Sequence, residues 1–294
     1  MTLNKIYRIL LILLACFFLS CSLNAQTTDS LQDKRDQFRK LLIGGSITYA
    51  ASMVYLNHAW YSQHERESFH FFNDNAEWYQ IDKGGHFLST YHITSATYFL
   101  MQSAGYNKKK TAITSALVGF GAMLPIEILD GFSTAYGASP GDLLANAAGA
   151  AVAVWQMSSG KEYVKLKVSF YRTEFAQYRP SVLGENAMTQ WLKDYNGHTF
   201  WMSLNMDKMI SGFPHWLNLG IGYGAHGMVY ARPEQNTAMG FNSYRQLYVG
   251  IDPDLSSLKS RKKWVNALIK VIDKIHLPAP VVIFSEGNSK IRIN

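Results

Sequence analysis

Apolar residues come in long blocks through the first half of this chain, and at every second position through much of the second half. The blocks cover residues 41–61, 86–104, 111–131 and, rich in Ala and Gly, 142–157. Each is long enough for a helix, and the second and third are apolar nearly all round, as helices buried in a large core or a membrane are. A 41–61 helix would be about 30 Å long, close to the thickness of a bilayer core. From about residue 160 the period changes to two, over 164–175, 199–207, 216–230 and 246–252. The clearest case sets Leu217, Leu219, Ile221 and Tyr223 against Asn218, Gly220, Gly222 and Gly224. This pattern predicts antiparallel strands, with turns at Arg179-Pro180, Asn196-Gly197, Phe213-Pro214 and Asp252-Pro253. Residues 262–275 place Trp264, Leu268, Ile269, Val271, Ile272 and Ile275 at helical spacing among basic residues. They predict an amphipathic helix suited to a sheet or a membrane surface. A last short strand is expected at 281–284. The fold class is therefore α+β: an N-terminal apolar four-helix module, then a C-terminal antiparallel β-rich region with one amphipathic helix. The expected organisation is a signal peptide (1–25), a polar tether (26–40), the helical domain (41–159) and the β-rich domain (160–294).

The few polar residues of the apolar blocks gather at block ends. Asp82, Lys83 and His86 open the second block, Glu127 and Asp130 close the third, and Asp142 and Asn146 open the fourth. Asp82 and His86 are four apart, Glu127 and Asp130 three apart, and Asp142, Asn146 and Gly149 follow one helical stripe. Ionisable groups in apolar surroundings are costly unless paired or hydrated, so their clustering marks a candidate site. Structural roles compete for the same residues. Asp142 fits a Ser139-x-x-Asp142 capping box with Pro140 at the first helical position. Asp82 and Lys83 fit a solvated helix start beside a Gly84-Gly85 break, and Pro125 fits a kink. The Lys108–Lys110 run reads as a solvated loop or headgroup anchor. His64 and His70 have no recognisable metal-ligand spacing. The glycines at 220, 222 and 224 alternate within a strand, so they are not a dinucleotide loop.

The order Asp82-Lys83-x-x-His86-Phe87, Glu127-x-x-Asp130-Gly131-Phe132, then Gly137-x-Ser139-x-x-Asp142-x-x-x-Asn146-x-x-Gly149 resembles the YfiM-like family of predicted periplasmic lipoproteins. That family is similar in motif order to the VanZ-like membrane proteins, whose pattern has Gln where this chain has Asp130. The resemblance covers roughly residues 75–155. It implies a VanZ-like arrangement of the helical module and an envelope location, and it names no reaction.

The first 25 residues change the picture of location. Lys5 and Arg8 precede an apolar run at 9–19, and Ala25 stands before Gln26, which predicts a signal peptide and export. Cys16 and Cys21 each lie in a lipobox-like context, and Cys21 is the better placed for lipidation. Cleavage before Gln26 would leave no cysteine, so no disulfide partner is expected. The formal net charge of +7 suits an anionic membrane surface, and export argues against nucleic acid.

No nucleophile elbow, His-Glu-x-x-His zinc site or Walker loop is present. The expected function is a membrane-associated envelope protein, in the periplasm or at the outer membrane. It would bind a membrane lipid or an envelope protein through Asp82, Lys83, His86, Glu127, Asp130, Asp142 and Asn146. The alternative is a hydrolase or transferase on a lipid-linked or cell-wall substrate. There His86 would act as base or nucleophile, Glu127 and Asp130 would orient it or bind a metal, and Lys83 would face phosphate. Neither a cofactor nor a metal is specified by the residues alone.

Overall fold

A computed structural model of the protein describes residues 30–160, 162–285 and 288–293. The expected signal segment and its Cys16 and Cys21 lie outside them. The first long helix, α1 (Leu31–Tyr61), starts well before its apolar block because Ser30 caps it, accepting the Asp33 N–H at 3.1 Å. The polar tether is thus helical from Leu31 onward. Helix α2 (Ile81–Ser103) runs through Gly84-Gly85 without a break. Helix α3 (Lys108–Gly131) begins inside the lysine run, which is therefore a first helical turn and not a loop. Asn107 accepts the Lys110 N–H at 2.8 Å, and that cap fixes the start. Pro125 lies within α3 without ending it. Helix α4 (Pro140–Ser159) starts on the proline, as the capping pattern predicts.

The chain forms two units. One takes the chain up to Phe72, Ser89–Ser159 and Ser260–Ala267; the other takes Asn73–Leu88, Gly160–Lys259 and the chain from Leu268. The first two turns of α2 thus belong with the second unit and the rest with the first.

In the helical unit the usual distribution of polarity is reversed. Thr48, Thr94, Thr111, Ser115, Asn146 and Gln156 are buried, whereas Val54, Leu117, Leu144 and Trp155 are about two-thirds exposed. Small residues let the helices close up: a Cβ on Gly119 would sit 1.9 Å from Thr94 Oγ1. Among the described helices, α3 is the one long and apolar enough to cross a membrane, and 28% of its most apolar stretch is buried.

The second unit is built on a six-stranded sheet whose order follows the chain, each neighbouring pair antiparallel: β1 (Val164–Phe170), β2 (His198–Leu204), β3 (Leu217–His226), β4 (Tyr244–Pro253), β5 (Pro280–Ser285) and β6 (Asn288–Ile293). Five strands and the amphipathic helix, α5 (Lys263–Ile272), lie where the sequence places them; β6 is additional. One sheet face buries Lys165, Lys167, Ser203, Asn218 and Asp252 beside Trp201 and Tyr248. Gly222 leaves room for the Trp201 indole, which an added Cβ would meet at 2.7 Å. Lys165 Nζ bonds Asp254 at 2.5 Å, Ser256 at 2.7 Å and Asp273 at 2.8 Å. Lys167 Nζ pairs with Asp252 at 2.7 Å and Asp273 at 3.4 Å. Burial disfavours the Lys165 charge, but the bonds to Asp254 and Asp273 outweigh it and raise its pKa. Asp254 responds in the complementary direction: burial raises its pKa, and the Lys165 and Ser256 bonds bring it below the usual value. His276 completes this layer, its ring stacked on Trp201 with centroids 3.7 Å apart.

Candidate functional site

Two groups of motif residues emerge, one in each unit. The group in the helical unit is organised by Ser139. Its backbone N–H donates to Glu127 Oε2 at 3.0 Å, and its hydroxyl accepts the Asp142 N–H at 3.1 Å. Half of the predicted capping box is therefore present, while the carboxylate that receives the Ser139 N–H comes from α3. A carboxylate is well placed there, at a helix N-terminus with its exposed backbone donors and positive dipole end. Glu127, Ser139, Asp142 and Asn146 are all buried. One turn beyond Asp142, Asn146 Oδ1 accepts the Thr90 hydroxyl at 2.9 Å. Asp130 is engaged elsewhere, accepting the Tyr61 hydroxyl at 2.8 Å. Glu127 and Asp142 thus share Ser139, and Asp130 belongs to a different contact.

Ser139→Ala is expected to remove the side-chain cap and leave the backbone bond to Glu127. The loss should be about 1 kcal/mol of unfolding free energy, read from a denaturant titration.

The group in the second unit lies on the first turn of α2. Asp82 and His86 share a helix face, with His86 Nε2 3.9 Å from Asp82 Oδ1. His86 is buried, and Asp82 accepts the Tyr195 hydroxyl at 2.7 Å. Lys83 is held by Asp74 at 2.6 Å, so its ammonium is already committed to a carboxylate. Just before Asp82, Trp78, Tyr79 and Gln80 have φ values of 49°, 49° and 61°. Such left-handed backbone costs on the order of 1–2 kcal/mol per non-glycine residue. It is held by several bonds: Trp78 N–H to Ala231 O at 2.7 Å, Tyr79 hydroxyl to Ser243 O at 2.9 Å, and Tyr223 hydroxyl to Tyr79 O at 2.6 Å. Arg245 adds a bond to Gln80 Oε1 at 3.0 Å. The entry into the Asp82–His86 turn is thereby fixed by the β-rich unit.

An acidic residue and a histidine on one face can serve as a general base or supply part of a metal site; the Glu127–Asp142 group offers acceptors to a hydrogen-bond donor. Sequence reasoning missed Thr90, Tyr61, Asp74 and Tyr195 as partners. Thr90 alone had a readable signal, standing one turn after His86 on the same stripe; the others come from distant segments.

No curated protein and no solved structure matches the chain. Residues 70–158, which hold every candidate residue named above, match the model of the family described as predicted periplasmic lipoprotein (DUF2279), in keeping with an exported cell-envelope protein.

Proposed function

We propose that the helical unit lies in or against a membrane of the cell envelope and binds a membrane lipid through its buried polar residues. The carrying observation is its reversed polarity, with Glu127, Asp142, Asn146 and the threonines inside and leucine, valine and tryptophan side chains outside. In water such an arrangement exposes apolar surface and buries groups that prefer hydration; in lipid both terms change sign. A groove of about 400 Å³ supports the lipid reading, since Ala112, Ile113, Ala116, Ala151, Val154 and Trp155 line it and an acyl chain suits such a lining. Two carboxylates around Ser139 favour a headgroup that donates hydrogen bonds or carries an ammonium. The VanZ-like helix arrangement belongs to the same reading.

Native mass spectrometry of the full chain in mild detergent tests it, comparing wild type with Asp142→Asn and Asn146→Leu. A co-purifying lipid that falls at least tenfold in both variants is the expected result. Equal retention in all three proteins would overturn the assignment of the headgroup to these residues. The hydrolase or transferase alternative rests on the Asp82–His86 pair, because a histidine beside a carboxylate serves as a general base. Turnover of a lipid-linked phosphate that disappears in His86→Ala would favour it over simple binding. An envelope protein as partner would instead co-purify in stoichiometric amount.

A further inference from the structure

The β-rich unit repeats the inversion of polarity in a different architecture, and it does so without help from the helical residues. On the face opposite Trp201, strand register builds continuous apolar rows. Phe200, Tyr223, Leu247 and Phe284 form one across four strands, and Met202, Ile221, Val249 and Val282 form the next. Leu204, Leu219 and Ile251 begin a third. The Trp78–Ile81 segment covers Phe200 and Tyr223 at one end. Beyond that cover, Met202 and Phe284 are each 47% exposed, Leu247 52% and Ile251 43%. The opposite face meanwhile buries two lysines and three aspartates. An antiparallel sheet in water ordinarily alternates apolar inside and polar outside; here the exposed face is apolar, and the buried face combines the ion pairs with Trp201, Tyr248, Val281 and Ile283.

The end of α5 extends the same surface. Ile275 bridges to Val168 at the outer edge of β1 and is 46% exposed, while its neighbours Asp273 and His276 turn to the buried polar layer. Leu268, Val271 and Ile272 are exposed along the last turns of the helix, with exposed Lys270 among them and exposed Lys259 in the same unit. Exposed leucine and isoleucine next to basic residues is the makeup of a helix that lies in a membrane interface and meets anionic headgroups.

We infer that the outward face of the β2–β5 sheet, together with the exposed side of α5 from Leu268 onward, is a membrane-docking surface whose occupant is the acyl-chain layer of an anionic bilayer. The docking is monotopic. An open sheet leaves backbone donors and acceptors unpaired at an edge, which the hydrocarbon core does not tolerate across its full depth. The apolar rows therefore lie on the bilayer, and the ion pairs of the buried layer remain on its far side. This deepens the membrane reading given above and rests on the envelope location, but it concerns a separate surface.

The test uses the full chain with vesicles of phosphatidylglycerol and phosphatidylethanolamine that contain a phospholipid bearing a diazirine in its acyl chain. After irradiation, peptide mass spectrometry locates the adducts. Adducts on Leu247, Val249, Ile251 or Phe284 are the expected result. Adducts confined to Val54, Leu117 or Leu144 would overturn the sheet surface while leaving the helical reading intact; no adducts at all would overturn both. Cross-linking of the sheet face to a second copy, without lipid adducts there, would also overturn the proposal in favour of a protein interface. In flotation with the same vesicles, Val249→Lys and Ile251→Lys should each weaken partition by about tenfold. If either variant loses its near-UV circular dichroism, the wild-type adduct map decides alone.

Discussion

Replacing Lys167 by methionine is expected to destabilise the β-rich unit by roughly 3–5 kcal/mol. The lysine is 1% exposed, and its Nζ lies 2.7 Å from Asp252 and 3.4 Å from Asp273, also donating to Pro253 O at 3.3 Å. Methionine fills much of the same volume, so packing changes little. What changes is electrostatic: Asp252, fully buried, loses its nearest cation, and an uncompensated buried carboxylate is the expensive outcome. The Ser203 hydroxyl still donates to Asp252, which softens the loss without replacing the charge. Denaturant unfolding of the two proteins checks the figure. The double variant Lys167→Met/Asp252→Asn should recover a measurable part of the stability, because removing both charges removes the desolvation penalty with them. A single variant as stable as wild type would mean that this layer is hydrated in solution.

Acid should weaken the same unit through two buried histidines. Burial pushes the pKa of His198 down to about 4, against the bonds to backbone oxygens of Asp194 and Trp191 that favour its charge. His276 is likewise lowered to about 4, chiefly by burial; Asp252 opposes the shift and Lys167 adds to it. In the unfolded chain both imidazoles titrate near 6.5. Between about pH 6.5 and pH 4 the unfolded state therefore binds more protons than the folded one, and stability rises with pH across that window. Each histidine accounts for about 3 kcal/mol lost on descending through it. Asp254, whose folded pKa lies below its ordinary value, extends the loss further into acid. Urea midpoints measured at pH 7.5, 5.5 and 4.5 should fall in that order. His198→Gln should flatten the profile over this range, since a neutral amide has nothing to titrate. A midpoint constant from pH 7.5 to 4.5 would show that neither ring is buried as described.

These two effects arise from residues that local pattern does not connect. The strands of Leu217–His226 and Tyr244–Pro253 were legible because a pleated chain puts alternate residues on opposite faces, and Leu219 with Gly220 already displays that alternation. The start of α4 was legible in Ser139 and Pro140, since capping is a property of a few adjacent residues. The shared face of Asp82 and His86 was legible for the same reason. The lysine run that opens α3 reads as a loop in the sequence because its charges say nothing about whether Asn107 caps the turn they form.

The amino-acid order by itself thus determined where the long helices and five of the strands lie and which motif residues share a helix face, because both follow from backbone periods of 3.6 and 2. Tertiary structure alone decided which side of each element is inside. Lys167 lies inward because Asp252 and Asp273 come from distant segments to meet it, and Leu247 lies outward as the necessary counterpart. An alternating strand has two faces, and only the charges and rings brought from elsewhere in the chain determine which one is buried.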